Sequence, residues 1–162
     1  MDVDEWIESR ITWKAGKHNL PAGRTWLFTD LPPTDRSRFE AAAAKCDLGR
    51  PVLVFLESPD LWTVLGTKKI MSRHHERLQA FPLRQLVRVG PIDKPQHEWP
   101  VEQVRDWKRS WEYLSLKGTW WRKATIWVPC GGEAYALWSI LHMFPGIYRP
   151  MDQRHVEPSQ KG

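Results

Sequence analysis

Tryptophan and basic side chains alternate in two segments of this 162-residue chain, and this alternation is the pattern with the clearest chemical meaning. The alternating residues are Trp107, Lys108, Arg109, Trp111, Trp120, Trp121, Arg122 and Lys123. Indole rings stack on nucleic-acid bases while neighbouring cations bind phosphates. Tryptophan and arginine are also enriched among the residues that dominate protein–protein binding energy. The pattern therefore predicts a binding surface for another protein or for a nucleic acid.

A further basic stretch lies earlier, from Lys68 to Arg88, where six basic residues accompany one acid. The first 67 residues hold eight basic against ten acidic residues, so the net charge of +5 arises in the later part of the chain. Lys68, Lys69 and Arg73 therefore join the predicted binding surface. An anionic partner, either a nucleic acid or a lipid-like headgroup, fits this charge. An ordinary solvated surface is the alternative interpretation.

The eleven tryptophans are too many to serve one purpose. Four of them lie within predicted regular elements and are expected in the core, namely Trp26, Trp62, Trp127 and Trp138. Trp6 and Trp13 are expected to pack an amino-terminal helix onto that core. Trp120 and Trp121 are adjacent, so on a strand one ring would face the core and the other would face solvent.

Metal chemistry has weak support in the sequence. The histidines that invite the question are His74, His75, His97 and His142. Zinc ligands come in closely spaced pairs, whereas adjacent histidines on an extended chain point to opposite sides. We therefore expect no metal and no cofactor.

Catalytic chemistry also lacks a recognisable constellation. Cys130 precedes a predicted helix, whose amide dipoles could lower its pKa, but a small residue in a tight turn is the simpler interpretation. The carboxylates of Asp47, Glu57 and Asp60 could hold Mg²⁺ as nuclease carboxylates do, but surface turns explain them equally. The expectation leans towards a chain without catalytic residues.

Two cysteines, Cys46 and Cys130, lie far apart and are expected as free thiols in a reducing cytoplasm. The opening residues Met1 to Glu5 are acidic and no apolar stretch typical of a secretory signal follows them. No apolar run approaches the roughly 18 residues that a membrane span requires.

Periodicity and turn residues predict an α+β domain over residues 1–148 and a disordered tail over residues 149–162. Helices are expected at Asp4–Ala15, Thr34–Lys45, Val101–Trp111 and Glu133–Phe144. Strands are expected at Thr25–Thr29, Val52–Leu56, Leu61–Leu65, Lys69–Ser72, Leu78–Val89, Trp111–Leu116 and Trp121–Val128. The last two strands are expected to form a hairpin with its turn at Lys117-Gly118-Thr119.

Two segments resemble the bacterial pleckstrin-homology-like (PH-like) superfold. Leu61–Val89 has its order of strand, basic Gly-Thr-Lys-Lys turn, strand, polar loop and strand. Ala124–Phe144 is similar to its last strand and capping helix. The resemblance covers about residues 50–145 and implies a strongly bent antiparallel sheet, or partial barrel, with a carboxy-terminal helix. The helix predicted at Val101–Trp111 departs from the family pattern.

Together these features predict a non-catalytic binding protein that recognises another protein, such as a bacterial or phage accessory, immunity or inhibitor factor. Members of the PH-like superfold bind lipids, peptides and proteins, so the fold does not decide among partners. The first alternative is a nucleic-acid-binding protein, which would show a steep dependence of affinity on salt. The second alternative is an enzyme such as a nuclease.

Overall fold

A computed structural model describes residues 2–92 and 98–149 of the chain. Its helices are α1 (Val3–Lys17), α2 (Pro33–Cys46), α3 (Val101–Ser110) and α4 (Gly132–Leu141). Its strands are β1 (Thr25–Leu27), β2 (Pro51–Ser58), β3 (Leu61–Gly66), β4 (Lys69–His74), β5 (Arg77–Pro82), β6 (Leu86–Pro91), β7 (Tyr113–Gly118) and β8 (Lys123–Trp127). All strand pairs are antiparallel, and they form sheet A in the order β1-β2-β3-β4-β5 and sheet B in the order β6-β7-β8. The predicted α+β class is confirmed. Arg149, predicted as the start of the tail, is helical, whereas residues 150–162 of the predicted tail and the loop that carries His97 lie outside the described residues.

Sheet A is covered on both faces, which explains the continuous apolar run of β2. On one face Val54, Val64 and Met71 stand opposite one another across three strands and pack under Phe39 of α2. On the other face lies a row that belongs to the main core, formed by Leu53, Leu65, Ile70 and Phe81. The two-residue period of a strand therefore sends alternate residues into two separate apolar clusters.

The side of helix α1 that is buried in the core is narrower than predicted, because it does not include Trp6 and Trp13. Asp2 caps its amino terminus by accepting the N–H of Glu5 at 2.7 Å. Ile7, Ile11 and Ala15 are buried at a spacing of four residues, and the helix packs on α4 and β2. The prediction that Trp6 and Trp13 pack onto the core is wrong.

Those two tryptophans and Trp26 lie on the surface instead. Trp13 is 49% exposed, with Arg10 and Lys17 at 4.9 and 5.1 Å from its ring centre. Trp26 is 38% exposed because β1 is an outer strand of three residues, so its predicted core position is also wrong. By contrast, the core positions predicted for Trp62 and Trp127 are confirmed.

The predicted strand Leu78–Val89 is in fact two strands in different sheets. A short 3-10 turn at Leu83–Gln85 separates β5 from β6, immediately after Pro82. Sheet B then packs on sheet A, with β8 against β3, β4 and β5. Gly118 of the β7–β8 hairpin lies close to Gln85 of the 3-10 turn.

The carboxy-terminal part of the described chain completes the main core. α4 buries Ala134, Leu137 and Ile140, and a further helical segment over residues 144–149 adds Phe144 and Tyr148. The predicted helix Glu133–Phe144 ends earlier than expected, at Leu141, and the separate helical segment that follows two turn residues includes Pro145 and Gly146. Among the described helices, none is both long and apolar enough for a membrane crossing.

Candidate binding surface

The turn between β7 and β8 carries the most exposed large apolar side chains of the described residues. We call residues Thr119 to Arg122 the Trp turn. Trp120 is 91% exposed and Trp121 is 93% exposed. The Arg122 N–H donates to the Thr119 carbonyl at 3.2 Å, and the Gly118 N–H donates to the Arg122 carbonyl at 2.8 Å. The turn is therefore closed by backbone hydrogen bonds while both indole rings project from it.

Both tryptophans have a left-handed backbone. Trp120 has φ 57° and ψ 39°, and Trp121 has φ 62°. Two successive positive φ values at the centre of a hairpin turn are typical of a type I′ turn, where Asn-Gly is the preferred sequence. An L-residue with a Cβ loses about 1–2 kcal/mol in this conformation. The turn thus holds two large side chains where the backbone disfavours them and where little of either ring is buried.

Gly118 makes the close approach of this hairpin to the rest of the fold possible. Its φ of −127° is open to any residue, so conformational freedom is not the reason for glycine here. A Cβ at this position would lie 2.7 Å from the carbonyl oxygen of Gln85 and 2.7 Å from Cζ of Phe81. The predicted turn at Lys117-Gly118-Thr119 is therefore wrong by two residues, because the glycine serves packing and the tryptophans form the turn.

Three cations stand side by side across sheet B next to the Trp turn. Arg88 of β6 is paired with Lys117 of β7, which is paired with Lys123 of β8. All three side chains are exposed, on the face opposite buried Leu116 and Ala124. We call these three residues the cation row. Since Lys117 and Lys123 form the last pair before the turn, the row and the tryptophans share one surface.

Acidic side chains are absent from the strands that build this surface. Residues 77–92 contain three arginines and no carboxylate, and residues 113–128 contain Lys117, Arg122 and Lys123 and no carboxylate. Within the turn itself, Arg122 Nη1 donates to the side-chain oxygen of Gln85 at 3.2 Å. The surface is therefore strongly positive beside its apolar tip.

The structure separates the two halves of the predicted tryptophan–cation surface. Trp107, Lys108 and Arg109 lie on α3, at the far end of β7, about 15–20 Å along the strand from the Trp turn. Trp111 is only 7% exposed, so its predicted place on the surface is wrong.

Trp111 is buried because the chain turns inwards after α3. Its ring meets those of Tyr135 and Trp138 edge-on, at centroid distances of 5.5 and 5.9 Å. Trp138 is partly buried against the main core, and its indole N–H donates to the Val89 carbonyl at 3.0 Å. Trp111 therefore contributes to packing between the hairpin and α4.

The earlier basic residues of the prediction lie on or beside sheet A, and two of them have carboxylate partners there. Lys68 Nζ is 3.6 Å from Asp47, and Arg73 Nε is 3.6 Å from Asp60. Lys69 is the first residue of β4 and follows Lys68, and both residues line a cavity of about 430 Å³ together with Asp2. This cavity carries both signs of charge and does not include the Trp turn.

A titratable cluster lies at the other end of sheet B. The Tyr113 hydroxyl and His75 Nε2 are 2.9 Å apart, and the two rings stack with centroids 5.7 Å apart. His74 Nε2 is 2.8 Å from the Thr125 carbonyl, which makes this nitrogen the N–H donor. Partial burial, followed by the charge of Glu112, raises the pKa of Tyr113 above its ordinary value.

Metal and catalytic alternatives find little support in the described part of the chain. No group of three or more His, Cys, Asp or Glu side chains that could hold a metal occurs there. Asp47, Glu57 and Asp60, considered as Mg²⁺ ligands, each face a different cation instead, namely Lys68, Arg24 and Arg73.

Cys46 and Cys130 are free, partly buried thiols. Near Cys130, the Gly131-Gly132 helix entry is followed by Glu133, which accepts hydrogen bonds from the Arg24 N–H at 3.3 Å and from the Thr25 hydroxyl. The carboxylate of Glu133 therefore has partners within the fold.

Comparison with known proteins adds no relative: the chain matches no family model, no curated protein and no solved structure.

Arg88 and Lys117 are the residues that sequence reasoning left out of the surface. Arg88 ends the basic stretch that begins at Lys68, and Lys117 belongs to the predicted turn. Nothing in the local sequence of either residue shows that they face each other. The alternation of Leu116, Lys117 and Gly118 predicts that Lys117 faces away from the core. The pairing of Lys117 with Arg88, however, depends on a register shift after Leu86. That shift is not visible in the residue pattern.

Proposed function

We propose that this chain is a non-catalytic binding protein that recognises another protein through the Trp turn. The observation that carries the proposal is the exposure of Trp120 and Trp121, at 91% and 93%, on a backbone that disfavours large side chains. Outlying backbone conformations cluster at sites that serve a function. Tryptophan is also among the residues that contribute most to protein–protein affinity.

The shape of the turn favours a protein partner over a nucleic acid. Sites that stack successive bases follow a groove along the strand. Trp120 and Trp121 instead project from the tip of a hairpin, with more than nine-tenths of each side chain exposed. A projecting pair of rings is complementary to an apolar patch of a protein partner. An immunity or inhibitor protein would use such a surface.

We also propose that the domain is PH-like. Strands β2 to β5 follow one another as hairpins, a second sheet of three strands comes next, and α4 follows the last strand. This order supports the resemblance seen in residues 50–145. The helices α1 and α2 and the strand β1 precede the PH-like part, and α3 lies between β6 and β7.

The test uses the double variant W120N/W121G, which places the preferred type I′ sequence in the turn. Phage-displayed random peptides are selected on the immobilised wild-type chain, and the selected peptides are then titrated against each variant. We expect the double variant to bind them about thirtyfold more weakly, as for the loss of an interface hot spot.

The matched control is Trp13→Ala, which removes an exposed tryptophan that already has two cations over its ring. This variant should bind the selected peptides as the wild type does. If W120N/W121G is folded by circular dichroism and binds them with unchanged affinity, the Trp turn is not the recognition element and the proposal is wrong.

A further inference from the structure

We infer that the partner is an acidic protein segment, whose carboxylates lie against the cation row while its apolar groups cover the Trp turn. This inference rests on the proposed function and names the chemistry of the partner. It depends on a separate set of residues, Arg88, Lys117 and Lys123, which the Trp turn proposal does not need.

The cation row is unfavourable in the free chain. Side chains directly opposite each other in an antiparallel pair have Cβ atoms about 4.5–5.5 Å apart, and like charges placed there destabilise the sheet. Arg88, Lys117 and Lys123 form two such like-charge pairs in succession. A bound group of negative charge would convert both repulsions into attractions.

Other cations of the fold already have carboxylate partners. Within residues 2–92 and 98–149, Arg24, Arg38, Arg50, Lys68 and Arg73 each lie within 4.0 Å of a carboxylate. Arg88, Lys117 and Lys123 are not among these cations. The segments 77–92 and 113–128, which carry the row, contain no acidic residue. The row therefore has its charge available to a partner.

The charge of the cation row is continuous with the apolar surface of the Trp turn. Lys117 and Lys123 directly precede and follow the segment 118–122 that carries the tryptophans. The hydrogen bond from Arg122 to Gln85 fixes the near side of the turn against the fold. A matching partner surface has an apolar patch with two or three carboxylates within about 5–10 Å of it, the distance across one or two strand spacings.

The test combines peptide composition with salt dependence. Peptides selected by phage display on the wild-type chain should be enriched in Asp and Glu relative to the unselected library. A fluorescein-labelled peptide from that selection is then titrated by anisotropy at about 50 mM and about 300 mM NaCl, since salt screens exposed charges. The triple variant R88Q/K117Q/K123Q should bind about tenfold more weakly at low salt and should lose most of the salt dependence.

The matched control is K14Q/K45Q/R105Q, which removes the same net charge from helices α1, α2 and α3. It should retain the affinity and the salt dependence of the wild type. If R88Q/K117Q/K123Q also retains the affinity and the salt dependence of the wild type, while W120N/W121G has lost binding, the inference of an acidic partner is overturned and the proposed function stands. If W120N/W121G retains binding, both are overturned.

An oligothymidylate of about 20 nucleotides is the second probe, because a single strand also offers negative charge and stacking groups. We expect it to bind more weakly than the acidic peptide. Tighter binding that depends on both the Trp turn and the cation row would overturn the inference and assign the surface to a nucleic acid.

Discussion

Ser72 of sheet A accepts the backbone N–H of Trp127 in sheet B, with 3.0 Å between Ser72 Oγ and the amide nitrogen. Thr63, which pairs with Ser72 across β3 and β4, donates its hydroxyl to the Trp127 carbonyl. The two hydroxyl oxygens are 2.8 Å apart, so Ser72 can donate to Thr63. This arrangement joins the two sheets through a closed set of hydrogen bonds in which all three residues are buried.

Ser72→Ala should destabilise the fold by about 1–3 kcal/mol, because it leaves the buried Trp127 N–H without an acceptor. Urea denaturation measures the change. Ser37→Ala is the control, since Ser37 is exposed on α2 and alanine favours a helix. A stability of Ser72→Ala equal to that of the wild type would show that the contact between the sheets does not depend on this hydroxyl.

W120N/W121G should be more stable than the wild type, by about 1–3 kcal/mol, because both left-handed positions then hold residues that tolerate them. The free energy of unfolding in urea tests this directly. A variant that gains stability and loses binding would identify the two rings as residues kept for recognition. A loss of stability would instead mean that the rings pack against the fold.

Gly118→Ala should destabilise the chain by about 1–3 kcal/mol, because the added methyl group overlaps the Gln85 backbone and the Phe81 ring. Gly16→Ala is the matched control. Gly16 lies inside α1 with nothing within 4 Å of the added carbon, so alanine should stabilise the helix by about 0.5–1 kcal/mol. Thermal unfolding of both variants gives the comparison. Equal effects at the two positions would contradict the close approach.

Tyr113 should make the chain less stable at alkaline pH. Its pKa is raised in the folded protein, so the fold holds the phenol proton more tightly than the unfolded chain does. This contribution is fully present below about pH 10, the ordinary pKa of tyrosine, and is lost as the pH rises through the raised value. The free energy of unfolding of Tyr113→Phe should therefore fall less steeply above about pH 10. Parallel pH profiles for the two proteins would show that Tyr113 does not contribute.

The position of the hairpin turn shows where sequence reasoning reached its limit. Gly118 is the only residue of its segment with a strong turn preference, so the turn was predicted there. In the structure the glycine meets Gln85 and Phe81, and the turn passes to two tryptophans whose local preference opposes it. The position of the turn is decided by contacts between residues more than 30 positions apart, and a local sequence pattern cannot predict such contacts.

The buried strands of sheet A were easier to predict. The apolar runs of β2 and β3 indicated buried strands, and the two covered faces of sheet A explain why most residues of these strands are buried. The orientation of α1 was harder, because Trp6 and Trp13 are more apolar than Ala15 and yet Ala15 is the buried residue. Ile7, Ile11 and Ala15 lie on the side of α1 that packs on α4 and β2, and this packing decides which side of the helix is buried.

β8 is an outer strand of sheet B, and its free side is occupied by side chains of sheet A. Ser72, Thr63 and Gln79 take up N–H and C=O groups of Trp127 and Thr125. An outer strand whose peptide groups are open can pair with a second molecule and begin aggregation. β8 is closed to that route. The two most exposed aromatic rings of the described residues therefore lie beside a strand to which a second copy cannot easily add.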